Sequence, residues 1–183
     1  MKLDKKQLFT VPNFLSLIRL LMIPAFVALY LNGHTSWTAV MLILSGLTDV
    51  VDGYIARHYN QVSDFGKALD PVADKLTQAA MLLCLVSDHP MMLVPFVLLA
   101  IKEVFAAVSG LMVIKYTNAV PGAEWHGKLT TMLLYGMMIL HLVWQEIPAW
   151  ASNGLNAICI LMMLLSMFLY GRRNIRAIKA ARV

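Results

Sequence analysis

The sequence predicts an all-α integral membrane bundle of six transmembrane helices, with both termini in the cytoplasm. Three observations predict it. The 183 residues are 60% hydrophobic and 14% charged, against about 45–50% and 25% in soluble domains. Six stretches are each close to the roughly 20 apolar residues that a bilayer-crossing helix needs. Lys and Arg avoid every second connector, as the positive-inside rule requires. The same composition excludes a disordered chain. It also excludes a disulfide scaffold, since Cys84 and Cys159 are the two cysteines. Both lie in apolar runs and read as packed thiols.

The first span covers residues 13–32. A basic start, Lys2, Lys5 and Lys6, precedes it. That start also suits a signal peptide, but the run is long, holds Arg19 and lacks a small-residue cleavage site, so it reads as retained. Residues 2–9 suit a short surface helix ahead of it, or a frayed tail drawn to anionic lipid. The turn Asn32-Gly33-His34 leads to the second span, 36–57. A short connector flanked by Arg57 and Lys67 leads to the third, 66–86. Asp88-His89-Pro90 opens the fourth, 90–115. Residues 118–122, between Lys115 and Lys128, lead to the fifth, 124–145. Ile147-Pro148 opens the sixth, 148–171, and a tail with Arg172, Arg173, Arg176, Lys179 and Arg182 follows.

The connectors near residues 33, 88 and 147 contain no Lys or Arg. They therefore face outward, and the basic connectors and both termini face the cytoplasm. Trp37, Trp144 and Trp150 fall at outer edges and Trp125 at an inner one, where an aromatic belt belongs. The net charge of +5 thus describes topology and gives no reason to expect a nucleic-acid partner. The six runs use most of the chain, so residues 1–183 read as a single transmembrane domain in the cell membrane.

Ten residues are acidic, and four of them fall together. Asp49 and Asp52 stand at the cytoplasmic end of the second span, Asp70 and Asp74 at the start of the third. A charge at membrane depth costs about 2.5–3.5 kcal/mol on insertion scales, and less near an interface. At about 100° per residue, Asp49, Asp52, Gly53 and Ala56 share one arc of a helix. Gly66, Asp70 and Asp74, spaced four apart, share one stripe of the next. Two carboxylate pairs then face each other at the cytoplasmic mouth. Oxygen-only donors suit Mg²⁺ or Mn²⁺, and four carboxylates suit two ions. Gly53 and Gly66 leave room beside them, and Arg57 is a fixed cation suited to phosphate. The set points to a phosphate ester bound through metal. The bland alternative is small-residue helix contact with interfacial charges, which leaves four aligned carboxylates unexplained.

Written as a string, the region is Asp49-x2-Asp52-Gly53-x2-Ala56-Arg57-x8-Gly66-x3-Asp70-x3-Asp74. It resembles the signature of the CDP-alcohol phosphotransferase family at every fixed position, and the six-span topology is similar too. The resemblance implies transfer of a phosphatidyl group from CDP-diacylglycerol to an alcohol, with release of CMP. It implies that Asp49, Asp52, Asp70 and Asp74 hold the metal ions and that Asp74 takes the acceptor hydroxyl's proton. Asp52, Gly53, Ala56, Arg57 and Gly66 would surround the cytidine diphosphate. A homodimer is also implied.

Leu69-Asp70-Pro71-Val72-Ala73-Asp74-Lys75 looks like the branch that makes phosphatidylglycerophosphate and the similar branch that makes cardiolipin. Residues 11–19, Val-Pro-Asn-Phe-Leu-Ser-Leu-Ile-Arg, with Pro24 after them, resemble both. Members that use inositol phosphate usually have a polar, non-proline residue at the position of Pro71. The expected acceptor is sn-glycerol-3-phosphate, with phosphatidylglycerol as the alternative. The chain departs from the glycerophosphate branch at Lys102-Glu103, where Arg-Glu is common, and matches only loosely at Gly127-Lys128-Leu129-Thr130.

Arg19, Lys128 and Lys102 are the candidate acceptor-binding cations. Arg19 equally suits pairing with an acidic neighbour or snorkelling. Lys102 and Glu103, adjacent on a helix, are expected to find different partners. Arg172 and Arg173 read as topology and headgroup attraction, with reach to an acceptor pocket as the alternative. His34, His58, His89, His126 and His141 lack metal-ligand spacing, and most of them read as interfacial. The thirteen methionines read as lipid-facing or packing residues. A reading from another class is a divalent-cation transporter with the four aspartates as its pathway, although internal repeats, common in transporters, are missing.

Overall fold

Long apolar runs punctuated by Gly and Pro leave the backbone one economical choice, because each helix satisfies its own N–H and C=O groups. A computed structural model bears this out; it describes residues 11–58, 64–117, 122 and 124–181. The expected surface helix at residues 2–9 lies outside the described residues. Six long helices follow in order: α1 (Val11–Leu31), α2 (Thr35–His58), α3 (Asp64–Val86), α4 (Leu93–Thr117), α5 (Trp125–Val143) and α6 (Ala149–Ala180). A single 3-10 turn, Pro90–Met92, leads into α4.

Local chemistry sets the ends. Pro12 near the start of α1 is pre-set for a helix and lacks an N–H that would have no partner there anyway. At the other end of α1, Gly33 adopts φ 78°. Its N–H bonds the Tyr30 carbonyl at 2.9 Å, and the His34 N–H bonds that of Leu29 at 2.9 Å. This pair of bonds is the Schellman arrangement, which satisfies carbonyls that the last turn would otherwise leave open. Pro148 precedes α6, and its carbonyl accepts from Ala151 and Ser152 at 2.9 and 3.1 Å.

One boundary differs from expectation. The sixth span was expected to end near residue 171, with a basic tail beyond it. The helix instead continues unbroken to Ala180. Residues 172–180 contain no Pro or Gly and are mostly Arg, Ala, Lys and Ile, which a helix accommodates at little cost. Its 32 residues give a rod of about 48 Å, longer than the ~30 Å hydrocarbon layer.

The chain divides into two units. The first comprises residues 1–84 and 139–145. Here α1 packs on α2, and Phe26, Tyr30, Ala39, Leu42, Met81 and Leu82 are buried. The second comprises residues 85–138 and 146–183. Here α4 packs on α6, around Met92, Leu99, Leu134, Met138, Cys159 and Met163. Both cysteines are free thiols.

Large apolar side chains also point outward, with Leu21 65%, Met132 70% and Phe168 65% exposed. A water-soluble surface rarely carries so much contiguous apolar area. Three segments, Asn13–Leu31, Pro90–Thr117 and Ala149–Ala180, are long and apolar enough to cross a membrane. The helices α2 and α3 carry the four motif aspartates. Trp37, Trp125, Trp144 and Trp150 are all exposed, as belt residues should be.

Candidate active site

The first unit gathers its polar groups through α1. Asn13, Ser16 and Arg19 recur at every third position of an otherwise apolar helix, which confines them to an arc of about 120°. All three are buried, Ser16 and Arg19 completely. A buried guanidinium needs a counter-charge. Arg19 Nη1 finds one in Asp49 Oδ1 of α2, at 2.9 Å. One turn earlier, the Ser16 hydroxyl donates to Asp70 Oδ1 of α3. Two neighbouring side chains of one helix therefore hold carboxylates from two other helices. Of the roles open to Arg19 in the sequence, phosphate binding, an acidic partner or snorkelling, the acidic partner is the one observed.

On α3, Asp70, Asp74 and Gln78 follow at intervals of four and share a face. Gln78 Nε2 donates to Asp74 Oδ2 at 2.8 Å, and Lys75 Nζ lies 3.7 Å from the same oxygen. Asp49 is within electrostatic reach of both Asp74 and Asp70. Asp49 and Asp70 are thus held side by side from α1, and Asp74 shares the face of Asp70. They are not drawn into one tight cluster: among the described residues, no three His, Cys, Asp or Glu side chains are close enough to share a metal ion. The donors present are carboxylate oxygens with neutral or cationic neighbours that orient them. That set fits a hard divalent cation. Asp52, Gly53, Ala56 and Arg57 lie in the helical span of α2, and Gly66 in that of α3. Their side chains lie outside the described residues.

In the second unit, the expectation that Lys102 and Glu103 have different partners is corrected. Lys102 Nζ sits 2.6 Å from Glu103 Oε1. The rule that adjacent helical positions diverge concerns Cβ directions. A lysine stem is long enough to bend back along the surface, and burial of Lys102 favours keeping its charge paired.

Lys128 is exposed in the first turn of α5. The entry to that helix is clamped from α6. Arg173 Nη1 donates to Glu124 Oε1 and to the Gly122 carbonyl, each at 2.8 Å. Its guanidinium also stacks 5.0 Å from the Tyr170 ring centroid, and the Tyr170 hydroxyl accepts from the Glu124 N–H at 3.3 Å. A Cβ on Gly127 would lie 2.6 Å from that hydroxyl, so glycine is what lets the tyrosine close over the turn. Most of the histidines were expected at an interface, and His126 is an exception. It is buried instead, with Nδ1 2.9 Å from Ser166 Oγ and its ring edge-on to Tyr170 at 4.5 Å. His141 is buried as well. The partner of His126, Ser166, comes from α6, a tertiary contact that metal-ligand spacing does not address.

Ser16 and Gln78 are the site-positioning residues that sequence reasoning passed over. A signal for Ser16 did exist: the three-residue recurrence Asn13, Ser16, Arg19 in an apolar run.

Residues 9–170 match the CDP-alcohol phosphatidyltransferase family. The chain belongs to that family. Among relatives, a Rickettsia felis protein named "CDP-diacylglycerol--glycerol-3-phosphate 3-phosphatidyltransferase" is 37% identical over 114 residues, 61% of this chain and 60% of its own length. A Cereibacter sphaeroides protein of the same name is 36% identical over 110 residues, 56% of this chain and 49% of its own. A Mycobacterium tuberculosis protein named "Putative cardiolipin synthase" is 48% identical over 75 residues, 40% of this chain and 36% of its own. The chain spans about 60% of the length of the first of these relatives. Within the family match lie all the motif residues, Ser16, Arg19 and the α5 clamp as far as Tyr170.

Proposed function

We propose that the protein is a multi-pass membrane transferase of phospholipid synthesis. It moves a phosphatidyl group from CDP-diacylglycerol to sn-glycerol-3-phosphate, forming phosphatidylglycerophosphate and CMP. The observation that carries this reading is that Ser16 and Arg19, one turn apart on α1, hold Asp70 of α3 and Asp49 of α2 inside a chain of this family. Residues 1–183 form one transmembrane domain of six spans. Both termini and the active site face the cytoplasm, and the working form is a homodimer.

Asp49, Asp52, Asp70 and Asp74 hold Mg²⁺ or Mn²⁺, two ions balancing four carboxylates. When bound, the divalent cation neutralises the diphosphate and improves CMP as a leaving group. Asp52, Gly53, Ala56, Arg57 and Gly66 surround the cytidine diphosphate, with Arg57 on phosphate. Asp74 accepts the proton of the acceptor hydroxyl, and the amide of Gln78 fixes which way its carboxylate points. Ser16 and Arg19 hold Asp70 and Asp49 from behind. Of the three candidate acceptor cations, Arg19 and Lys102 are buried and paired with Asp49 and Glu103, and Lys128 is the exposed one.

The name of the Mycobacterium relative favours a second reading in which phosphatidylglycerol is the acceptor and cardiolipin the product. A cation transporter has no comparable support once the family is known. The deciding assay is CMP release by purified protein with CDP-diacylglycerol, a divalent cation and a panel of acceptors. Glycerol-3-phosphate should support turnover. Turnover with phosphatidylglycerol alone would replace the acceptor. No CMP from any acceptor, together with cation flux in liposomes, would overturn the transferase reading. Asp74→Asn should abolish turnover and leave nucleotide binding largely intact.

A further inference from the structure

The second unit contains an open cavity of about 620 Å³ between α4 and the C-terminal half of α6. Its volume is in the range of about 300–1,000 Å³ typical of small-molecule sites. Phe105 of α4 and Leu164, Phe168 and Ile175 of α6 make its apolar wall. The Phe105 ring closes against Gly171, where a Cβ would come within 3.2 Å of it.

Arg172, Arg176 and Lys179 line the same cavity. Their spacing of four and three puts them on one face of α6, while Arg173, about 100° away, is committed to Glu124. Among the described residues, no carboxylate pairs with these three cations; Asp49, Asp74, Glu103 and Glu124 pair with Arg19, Lys75, Lys102 and Arg173 instead. All three are exposed.

A soluble anion has no use for the apolar wall, and a hydrocarbon has no use for three cations. An amphiphilic anion uses both. The order along α6 also matches a lipid in a leaflet. The apolar residues 164 and 168 lie within the segment apolar enough to cross a membrane, and the cations follow toward its end. Basic pockets at the ends of membrane helices bind anionic headgroups.

We propose that this groove binds an anionic membrane phospholipid, with the phosphate on Arg172, Arg176 and Lys179 and an acyl chain along Phe105, Leu164 and Phe168. The site requires that α6 crosses the bilayer and is independent of the transferase reading.

The test uses the full chain in phosphatidylcholine nanodiscs titrated with phosphatidylserine, which is neither donor, acceptor nor product of either proposed reaction. Native mass spectrometry counts the lipids retained. The parent protein should retain phosphatidylserine over phosphatidylcholine. Each cation removed should weaken retention about fivefold, and the triple variant R172Q/R176Q/K179Q roughly a hundredfold. R172K/R176K keeps the charge and should keep the preference. Leu164→Trp fills the apolar wall without touching charge and should also reduce retention. Lys115→Gln, a cation outside the groove, should leave it unchanged. Equal retention by the triple variant and the parent overturns the proposal. So does an equal loss in Lys115→Gln, which would mean diffuse attraction. A dimer that Leu164→Trp dissociates while lipid retention stays constant assigns the groove to a second copy and also overturns it. If the triple variant fails to fold, R172K/R176K and Leu164→Trp still decide the matter.

Discussion

Replacing Ser16 with Ala isolates the contact that holds Asp70. The substitution removes one oxygen from a fully buried position and leaves little void. What it deletes is a hydrogen bond to a carboxylate, a class that contributes about 1.5–3 kcal/mol. Asp70 is only part-buried, so water can replace the hydroxyl in part, and the lower figure of about 1.5 kcal/mol applies. At roughly 1.4 kcal/mol per tenfold, metal should bind about tenfold more weakly. That is the lower end of the roughly 10–100-fold cost of losing an outer partner of a metal ligand. The assay is CMP release by Ser16→Ala and parent protein across a series of Mg²⁺ concentrations. The half-activating concentration should rise about tenfold, with turnover at saturating Mg²⁺ much less affected. A half-activating concentration within about twofold of the parent, in protein shown to be folded, refutes the claim that Ser16 orients a metal-binding carboxylate.

Chelation should abolish CMP release from the parent, and either Mg²⁺ or Mn²⁺ should restore it; in Asp74→Asn, neither should. Gly33→Ala puts a side chain where φ is 78° but meets no atom within 4 Å, so its cost is conformational, about 1–2 kcal/mol. Thermal unfolding in detergent should show that loss, and Gly33→Asn should show less. Gly127→Ala drives a methyl into the Tyr170 hydroxyl and should cost about 1–3 kcal/mol. Hydrogen exchange should then rise first around Glu124, whose N–H that hydroxyl accepts.

Much of the helical layout was legible because apolar length is a strong signal. Each of the six expected runs corresponds to a helix, with most ends a few residues apart. The longest disagreement, the continuation of α6 to Ala180, arose from treating basic residues as the end of a helix. They end the apolar stretch, and Arg and Lys remain good helix formers. The aspartates were legible as a set because carboxylates are costly in such a chain. Their partners were not. The contact from Ser16 to Asp70 joins residues far apart in sequence, and a lone serine in an apolar run has many innocuous explanations. Lys102 and Glu103 show the converse error, where a rule about helix faces was applied to a side chain long enough to escape it. The burial of His126 against Ser166, forty residues away, was not legible either, because spacing along the chain does not report a tertiary contact.

The three-residue recurrence on α1 makes that helix a mechanical part. Ser16 and Arg19 are fixed to the same rod, so they cannot let go of Asp70 and Asp49 separately by any rigid movement of it. A twist of one residue, about 100°, would carry both away together. Torque applied ahead of Val11, from a fused domain or a surface tether, is therefore transmitted to two carboxylates at once.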